Sequence, residues 1–384
     1  MENTLYFDHA ATTPMHPEVI QAMTAAMEHH YGNASSIYKI GRESKGILEE
    51  ARLVLAKSIN ADPKEIVFTS GGTESDNMAI LQTAEKLKGQ GKHIITTSIE
   101  HPAVREPLLY LEGKGYDVTF LPVNKDGFIT AKQVEDALRE DTILVSIIYG
   151  NNEIGSIMPI QEIGELLASQ DRKIVFHTDA VQAYGTETID VKEQHIDLLS
   201  VSSHKINGPK GSGFLYVNQS VSIPGLLRGG EQENKKRAGT ENVPSIIGFK
   251  KAVEIRQKEK EKIRAHYSTL KKETVKTLNN YGISYEVNGS LENSLPHILS
   301  LHFLGVPADK LLIHLDLANI AVSIGSACSA GNVDPSEVLM ALHGENHPAV
   351  SETIRLSFGM NNKPEQIEEV IKNIEKAVAF LSQN

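Results

Sequence analysis

Lys205 stands in the run Ser202-Ser203-His204-Lys205-Ile206-Asn207-Gly208-Pro209-Lys210-Gly211-Ser212-Gly213, between apolar Leu198-Leu199-Ser200-Val201 and Phe214-Leu215-Tyr216-Val217. The pattern predicts a strand, a turn rich in Gly and Pro with the lysine near its start, and a second strand running back. An amine at the rim of a packed core, flanked by hydroxyls and an imidazole, is partly desolvated. That favours its neutral, nucleophilic form, the state a Schiff-base lysine needs. A solvated lysine in a hairpin turn has the same local sequence, so this stretch alone leaves both readings open.

Four further sets of residues have the types for chemistry. Ser70-Gly71-Gly72-Thr73-Glu74-Ser75 follows a strand-like run and leads into a helical one. Backbone N–H groups converge at such a turn, and the helix dipole favours an anion. The lysine and hydroxyl that end a P-loop are missing, so the turn suits a lone phosphate better than a nucleotide; it also reads as a simple capping turn. Asp179 falls at the carboxyl end of the apolar run 174–182, and His101 opens a helix after Glu100. Cys328 is the one cysteine, within Gly325-Ser326-Ala327-Cys328-Ser329-Ala330-Gly331. A lone cysteine is usually a small buried hydrophobe, but a run of small residues suits a mobile loop better than a core. With one cysteine the chain forms no internal disulfide and no multi-cysteine metal site. His343 and His347 stand four apart, but His-Gly-Glu-Asn-His before Pro348 is not a zinc-protease pattern, and no metal is expected.

The elements that position these residues alternate. Strands are predicted at 65–69, 93–97, 117–121, 142–149 and 174–182, and helices at 17–27, 41–59, after 72, from 101, at 131–138 and around 163–167. The nearly continuous apolar run 142–149 is what a parallel strand buried on both faces requires. Strands alternating with helices indicate an α/β domain with a mostly parallel sheet, where ligands bind at the carboxyl ends of strands. The residues singled out fall mostly at such ends. From about 245 to 280 one long charged helical region, with Lys258-Glu259-Lys260-Glu261-Lys262 as a solvated face, reads as a linker. Beyond it strands at 297–304, 320–324 and 353–358 and helices at 307–317 and 335–342 form a smaller α/β unit. The last helix carries Ile367, Val370, Ile371, Ile374, Val378 and Leu381 on one face. The expected division is 15–250 for the large domain, with 1–14 and 251–384 for the smaller one.

Composition bounds the partners. Among 384 residues, 38 Lys and Arg against 49 Asp and Glu give a net charge of −11, which argues against direct nucleic-acid binding. The start Met1-Glu2-Asn3-Thr4 lacks the basic and apolar regions of a signal peptide. The apolar stretch 311–324 is broken by His314, Asp316 and Asn319. The expectation is a cytoplasmic protein with no membrane contact.

Pyridoxal phosphate asks four things of a protein: a lysine for its aldehyde, a carboxylate for its ring nitrogen, a flat partner for its ring and an anion cup for its phosphate. Lys205, Asp179, His101 and the Gly71-Gly72-Thr73 turn are of the right types. The sequence also resembles NifS/IscS-type cysteine desulfurases of the aminotransferase class V group. The matching runs are Asp-His-Ala-Ala-Thr-Thr-Pro at 8–14, Tyr-Gly-Asn-Ala-Ser-Ser at 31–36, Thr-Ser-Gly-Gly-Thr-Glu-Ser at 69–75 and Glu-His-Pro-Ala-Val at 100–104. They continue through Asn-Asn-Glu-Ile-Gly at 151–155, His-Thr-Asp-Ala-Val-Gln at 177–182, Ser-Ser-His-Lys at 202–205 and Arg-Ala-Gly-Thr-Glu-Asn at 237–242. Gly-Ser-Ala-Cys-Ser at 325–329 and Ile-Arg-Leu-Ser-Phe-Gly at 354–359 complete them. Ala34 stands where Pro is common in that family, and Ile324 where a second Ser often stands.

The resemblance implies the fold-type I architecture, a homodimer, and conversion of L-cysteine to L-alanine with the sulfur held on Cys328 as a persulfide. It further implies that Lys205 bonds the cofactor, Asp179 pairs with its ring nitrogen, Gln182 approaches its ring hydroxyl and His101 stacks on the ring. Gly72, Thr73, Ser202 and His204 would hold the phosphate, with Thr240 reaching it from the other subunit. Asn152 would contact cofactor and substrate, and Arg355 with Asn33 the substrate carboxylate. Sulfur would pass to an acceptor protein, a scaffold for iron–sulfur clusters or a tRNA thiolase. Alternatives on this scaffold are a selenocysteine lyase, a class V transaminase or a non-catalytic sulfur-relay scaffold.

Overall fold

The computed structural model describes residues 4–325 and 335–382. Its centre is a seven-stranded sheet in the order Ile66–Thr69, Gly213–Val217, Leu198–Ser202, Val175–Asp179, Thr142–Ser146, His93–Thr97, Asp117–Leu121. The last five run parallel; Gly213–Val217 is antiparallel to both of its neighbours. Alternate side chains serve opposite faces, as the strand period of two requires. Ile94, Leu144, Val175 and Leu198 pack with helices Gly72–Leu87 and Pro102–Glu112 on one face. Ile95, Val145, Phe176 and Leu199 pack on the other, with helices Lys39–Lys57 and Ile160–Ala168 and the first turns of Val243–Asn280. The continuous apolar runs in the sequence have this cause: both faces are covered.

Two of the expected central strands are shorter than their apolar runs. The run 142–149 pairs as a strand only over Thr142–Ser146, and 174–182 only over Val175–Asp179. Ile147 and Tyr149 still donate backbone hydrogen bonds to the carbonyls of His177 and Asp179, at 3.1 and 2.8 Å. The chain beyond Ser146 therefore stays alongside its neighbour and presents Ile148 to a cavity at the carboxyl edge, while the chain after Asp179 turns and sets Val181 on the same cavity.

Helix Val243–Asn280 runs from one core to another. Val243, Ile246, Phe249 and Val253 belong to the core against the seven-stranded sheet, whereas Ile263, Tyr267, Leu270 and Leu278 belong to a second core. The second core covers the antiparallel sheet Thr353–Ser357, Ile298–Phe303, Tyr285–Val287. The predicted strand 320–324 is reduced to Ile320–Ala321, which pairs in parallel with Leu5–Tyr6. Ser323 then bridges to Arg355. This pairing carries the N-terminal segment across to the cavity. Among the described residues no helix is long and apolar enough to cross a membrane.

A buried ion pair fixes the loop that leads to Thr240. Arg52 donates to both Glu233 oxygens at 2.7 Å and to the Ile66 carbonyl at 2.7 Å, while Glu233 also accepts from the Phe68 amide at 2.9 Å. Glu233, Asn234 and Lys235 all have positive φ, at 48°, 54° and 67°. Left-handed backbone costs non-glycine residues about 1–2 kcal/mol each. Breaking a buried pair costs about 3–5 kcal/mol, comparable with the strain of the three residues together. From there Arg237 reaches Glu74, Nε to Oε1 at 2.9 Å, beside Thr73.

Candidate active site

The cavity at the carboxyl edge has a volume of about 290 Å³ and is bordered by both sheets. Gly72, Thr73, His101, Asn152, Asp179, Gln182, Ser202, His204, Lys205 and Arg355 all line it, so ten of the predicted site residues meet in one place. Two others do not. Asn33 is exposed, and its side chain accepts from the Ser35 amide at 2.8 Å. Thr240 is exposed and outside the cavity of its own chain. Cys328 lies outside the described residues. The described residues on either side of it come close together: a Cβ on Gly325 would lie 3.3 Å from the Cβ of Ser336 and 3.3 Å from Glu153 Oε2.

The lysine is seated by the N-terminal segment. Lys205 follows the strand Leu198–Ser202 in a single tight turn, and its Nζ donates to the carbonyls of Ala10 and Ala11, the latter at 2.8 Å. Thr13 Oγ1 donates to the His204 carbonyl at 2.6 Å and accepts from the Asn207 amide at 2.8 Å, while Thr12 Oγ1 meets His204 Nδ1 at 3.1 Å. Gly208 closes the turn where any side chain would collide, since a Cβ there would lie 2.0 Å from Ser203 Oγ. The motif at 8–14 thus works as the clamp of the lysine turn. Sequence reasoning did not anticipate that, because nothing local links residues almost two hundred positions apart.

The anion end is the N-terminus of helix Gly72–Leu87. Gly71 caps it at φ 147°, a backbone region that glycine alone enters at low cost. Free N–H groups of the first turn, the Thr73 and Ser202 hydroxyls and His204 border the same end of the cavity. Burial, with Lys205 and Lys210 adding to it, lowers His204 to about 4. A neutral imidazole can give one N–H without bringing a charge.

Asp179 ends its strand, and its Oδ1 accepts from the Val181 amide at 2.9 Å. Burial drives this carboxyl up to about 8; neighbouring Asp76 adds to the rise, and Lys205 opposes it. An acid held so high is short of a cation, and a protonated ring nitrogen is one. His101 caps helix Pro102–Glu112, its Nδ1 accepting from the Ala103 amide at 3.1 Å. Burial and then the Lys205 charge lower it to about 4, so it presents a neutral flat ring. Gln182 donates to the Ala10 carbonyl at 2.9 Å and meets His297 Nε2 at 3.3 Å. Lysine, acid, flat ring and anion end therefore share one cavity, and the residues fit pyridoxal phosphate.

Arg355 sits in strand Thr353–Ser357, almost fully buried. Nη2 donates to Asp8 Oδ1 at 2.8 Å and Nη1 to the Asn152 carbonyl at 2.7 Å; Nε has no acceptor among the described residues. A guanidinium placed this way has a free edge for a carboxylate. Two acids escaped the sequence reading. Glu100 is buried, accepts from Thr97 Oγ1 at 2.6 Å and the Ile148 amide at 3.0 Å, and burial raises it to about 8. Asp76 lines the cavity with both oxygens lacking hydrogen-bond partners. Its place one turn after Gly72 on a helix was the available signal. Among the described residues no group of His, Cys, Asp and Glu is placed to hold a metal ion.

Residues 5–370 match the aminotransferase class-V family. The chain is 51% identical over 378 residues to the IscS 1 protein of Bacillus subtilis (strain 168), covering 98% of this chain and 99% of that one. It is 44% identical over 377 residues to the cysteine desulfurase IscS of Methanosarcina thermophila, covering 98% of this chain and 92% of the relative. Among solved structures, a NifS-like protein superposes with a TM-score of 0.92 at 34% identity, covering 99% of this chain and all of that chain, 100%. The cavity and these likenesses agree: the chain belongs to the aminotransferase class-V family, and within it to the pyridoxal-phosphate-dependent cysteine desulfurases.

Proposed function

We propose that the chain converts L-cysteine to L-alanine and takes the sulfur onto Cys328, with roles divided among the residues of this one cavity. The observation that supports the division most is the meeting of Lys205, Asp179 and Arg355 with the N-terminus of helix Gly72–Leu87 in that cavity. Pyridoxal phosphate, when bound, supplies the electron sink for bonds breaking next to the substrate's amine-bearing carbon. Lys205 Nζ would hold the cofactor and, once free, would take the α-proton of the substrate. Asp179 keeps the ring nitrogen protonated. His101 covers the ring as a neutral imidazole able to shuttle protons, and Gln182 meets the ring hydroxyl. Gly72, Thr73, Ser202 and His204 hold the phosphate, with Thr240 of a second copy completing the cup in a homodimer.

Arg355 and Asn152 orient the substrate carboxylate, with Asn33 as a further contact. The Cys328 thiolate attacks the substrate sulfur: an S–S bond forms, the C–S bond breaks, and its electron pair stays with carbon, which gains a proton. Alanine leaves and a persulfide remains on Cys328, so atoms and electrons balance without an oxidant. Onward transfer goes to a thiol of another protein in the cytoplasm, an iron–sulfur scaffold or a tRNA-thiolating enzyme.

The expected result with purified yellow protein, L-cysteine and a reducing thiol is alanine and sulfide in equal amounts. Pyruvate in place of alanine, or neither product, contradicts the reading. Asp179→Asn is expected to fold and to lose roughly a hundredfold or more in turnover, because an amide cannot hold the ring nitrogen protonated. Steady-state rates with cysteine check this, and wild-type turnover would reduce the carboxylate to a structural part.

A further inference from the structure

Asp76 belongs to no predicted role, yet it is among the most buried acids in the chain, with 1% of its surface exposed. It lies on the inner face of helix Gly72–Leu87 and lines the same cavity as Asp179. Its Oδ1 is 3.5 Å from His177 Nε2, and neither oxygen accepts a hydrogen bond. His177 is fully buried in the strand that ends in Asp179, its Nδ1 2.8 Å from Ser146 Oγ and its Nε2 3.1 Å from Ser200 Oγ.

A carboxylate in such a place needs a cation or several donors, because an unpaired buried charge is costly. The charged and titratable groups facing the site are Asp179 and His177 from the strand, Glu100 from the loop before helix Pro102–Glu112, and Lys205 across Asp179. Two of these are acids, and the only cation among them is placed toward Asp179. Two carboxyls in one desolvated floor do not both ionise readily. Asp179 has the Val181 amide and Lys205 to stabilise its charge; Asp76 has no hydrogen-bond partner among the described residues and faces an imidazole 3.5 Å away. The imidazole of His177 is itself lowered to about 4 by burial, so it is a neutral acceptor rather than a cation.

We propose that Asp76 is a positioning residue of the cofactor site that works as an uncharged acid, its proton shared with His177 Nε2, so that the cavity floor carries one negative charge, on Asp179. This rests on the reading of Asp179 as the partner of the ring nitrogen. It gives that partner a defined charge and keeps a second one away from the phosphate end of the same small cavity. Burial, the leading cause, raises Asp76 to about 7; it raises Asp179 further, to about 8, and what places the charge on Asp179 is the Val181 amide at its Oδ1 and the cation expected from the ring nitrogen.

Infrared spectroscopy of the holoprotein tests this. At pH 6 the wild type should show the carbonyl stretch of a protonated carboxylic acid that is missing from Asp76→Asn, and in wild type that band should fade as pH rises through the carboxyl's titration. Thermal melting gives a second readout with a definite sign. A carboxyl whose folded pKa is raised leaves the fold fully stable below the unfolded value and weakens it as pH rises through the folded one. Asp76→Asn should therefore melt higher than wild type by about 5 °C at pH 8, with the gap closing toward pH 4. An ion pair between Asp76 and His177 predicts the reverse: no differing acid band, and a variant that melts lower at pH 8. Either of those results overturns the proposal. If Asp76→Asn cannot be purified, Asp76→Ser takes its place: Glu100 is also raised by burial, so a band at pH 6 lost from that variant supports the proposal, and an unchanged spectrum overturns it. Asp179→Asn, measured for cofactor affinity by equilibrium dialysis, separates the two levels. Wild-type affinity there overturns the Asp179 reading and this proposal together. Weakened affinity with no acid band at Asp76 overturns this proposal alone.

Discussion

Lys205→Ala is expected to abolish turnover, by a factor on the order of a thousand or more, and to let the cofactor dialyse away with its visible absorbance. Both losses have the same origin. Among the described residues no other lysine lines the cavity, so none replaces the covalent hold on the cofactor or the base that takes the α-proton. The fold should survive. Lys205 is half-buried, and its contacts with the chain include hydrogen bonds to the carbonyls of Ala10 and Ala11. Losing these costs about 1–2 kcal/mol, while the turn stays fixed by Thr13, Asn207 and Gly208. Lys205→Arg keeps a cation at the site and should be as inactive, because a guanidinium does not deprotonate to serve as nucleophile or base. Cofactor absorbance after dialysis and rates with cysteine check the pair. A variant that keeps the bound cofactor and full turnover contradicts the assignment.

Cys328→Ser is expected to retain the yellow cofactor and the binding of cysteine while losing sulfur transfer by a factor on the order of a thousand. The binding groups Lys205, Asp179 and Arg355 are untouched in that variant. A serine hydroxyl stays protonated at neutral pH, whereas a thiol is partly ionised and its thiolate is the better nucleophile. Stopped-flow spectra on mixing with cysteine should show the wild-type change at the cofactor, and sulfide assays should show no release. Wild-type sulfide release from the serine variant would mean that the substrate loses its sulfur by elimination, with no acceptor on the protein.

The central sheet was legible because each apolar run is bounded by Gly, Pro or polar residues and both faces are covered. The strands His93–Thr97 and Asp117–Leu121 lie where the pattern put them. The strand Tyr285–Val287 was not found, since three residues at a sheet edge, none fully buried, give no usable alternation. Lys205, Asp179, His101 and the Gly71-Gly72-Thr73 turn stood out by position and residue type, whereas Gln182, Asn152, Ser202, His204 and Arg355 came only with the family resemblance. Harder were residues whose role comes from distant partners. The hold of Ala10 and Ala11 on Lys205 uses backbone carbonyls, which leave no mark in a sequence. Nothing in the sequence marked Asp76, since the four residues between it and Gly71 include three polar ones. Only the sheet packed beneath it makes it buried. The same limit applies to Asn33 and Thr240, which are exposed on their own chain. Their proposed roles depend on surfaces that a single chain does not form.

Mass spectrometry of the protein after brief exposure to L-cysteine without reductant tests the account most directly. The sequence has one cysteine, so sulfur has one thiol on the chain to occupy. Wild type should gain one or more sulfur atoms on the peptide that contains Cys328, and the gain should vanish on adding a reducing thiol. Cys328→Ser and Lys205→Ala should gain none. Sulfur on any other peptide, or alanine formed at the wild-type rate with Cys328 unmodified throughout, would contradict the account.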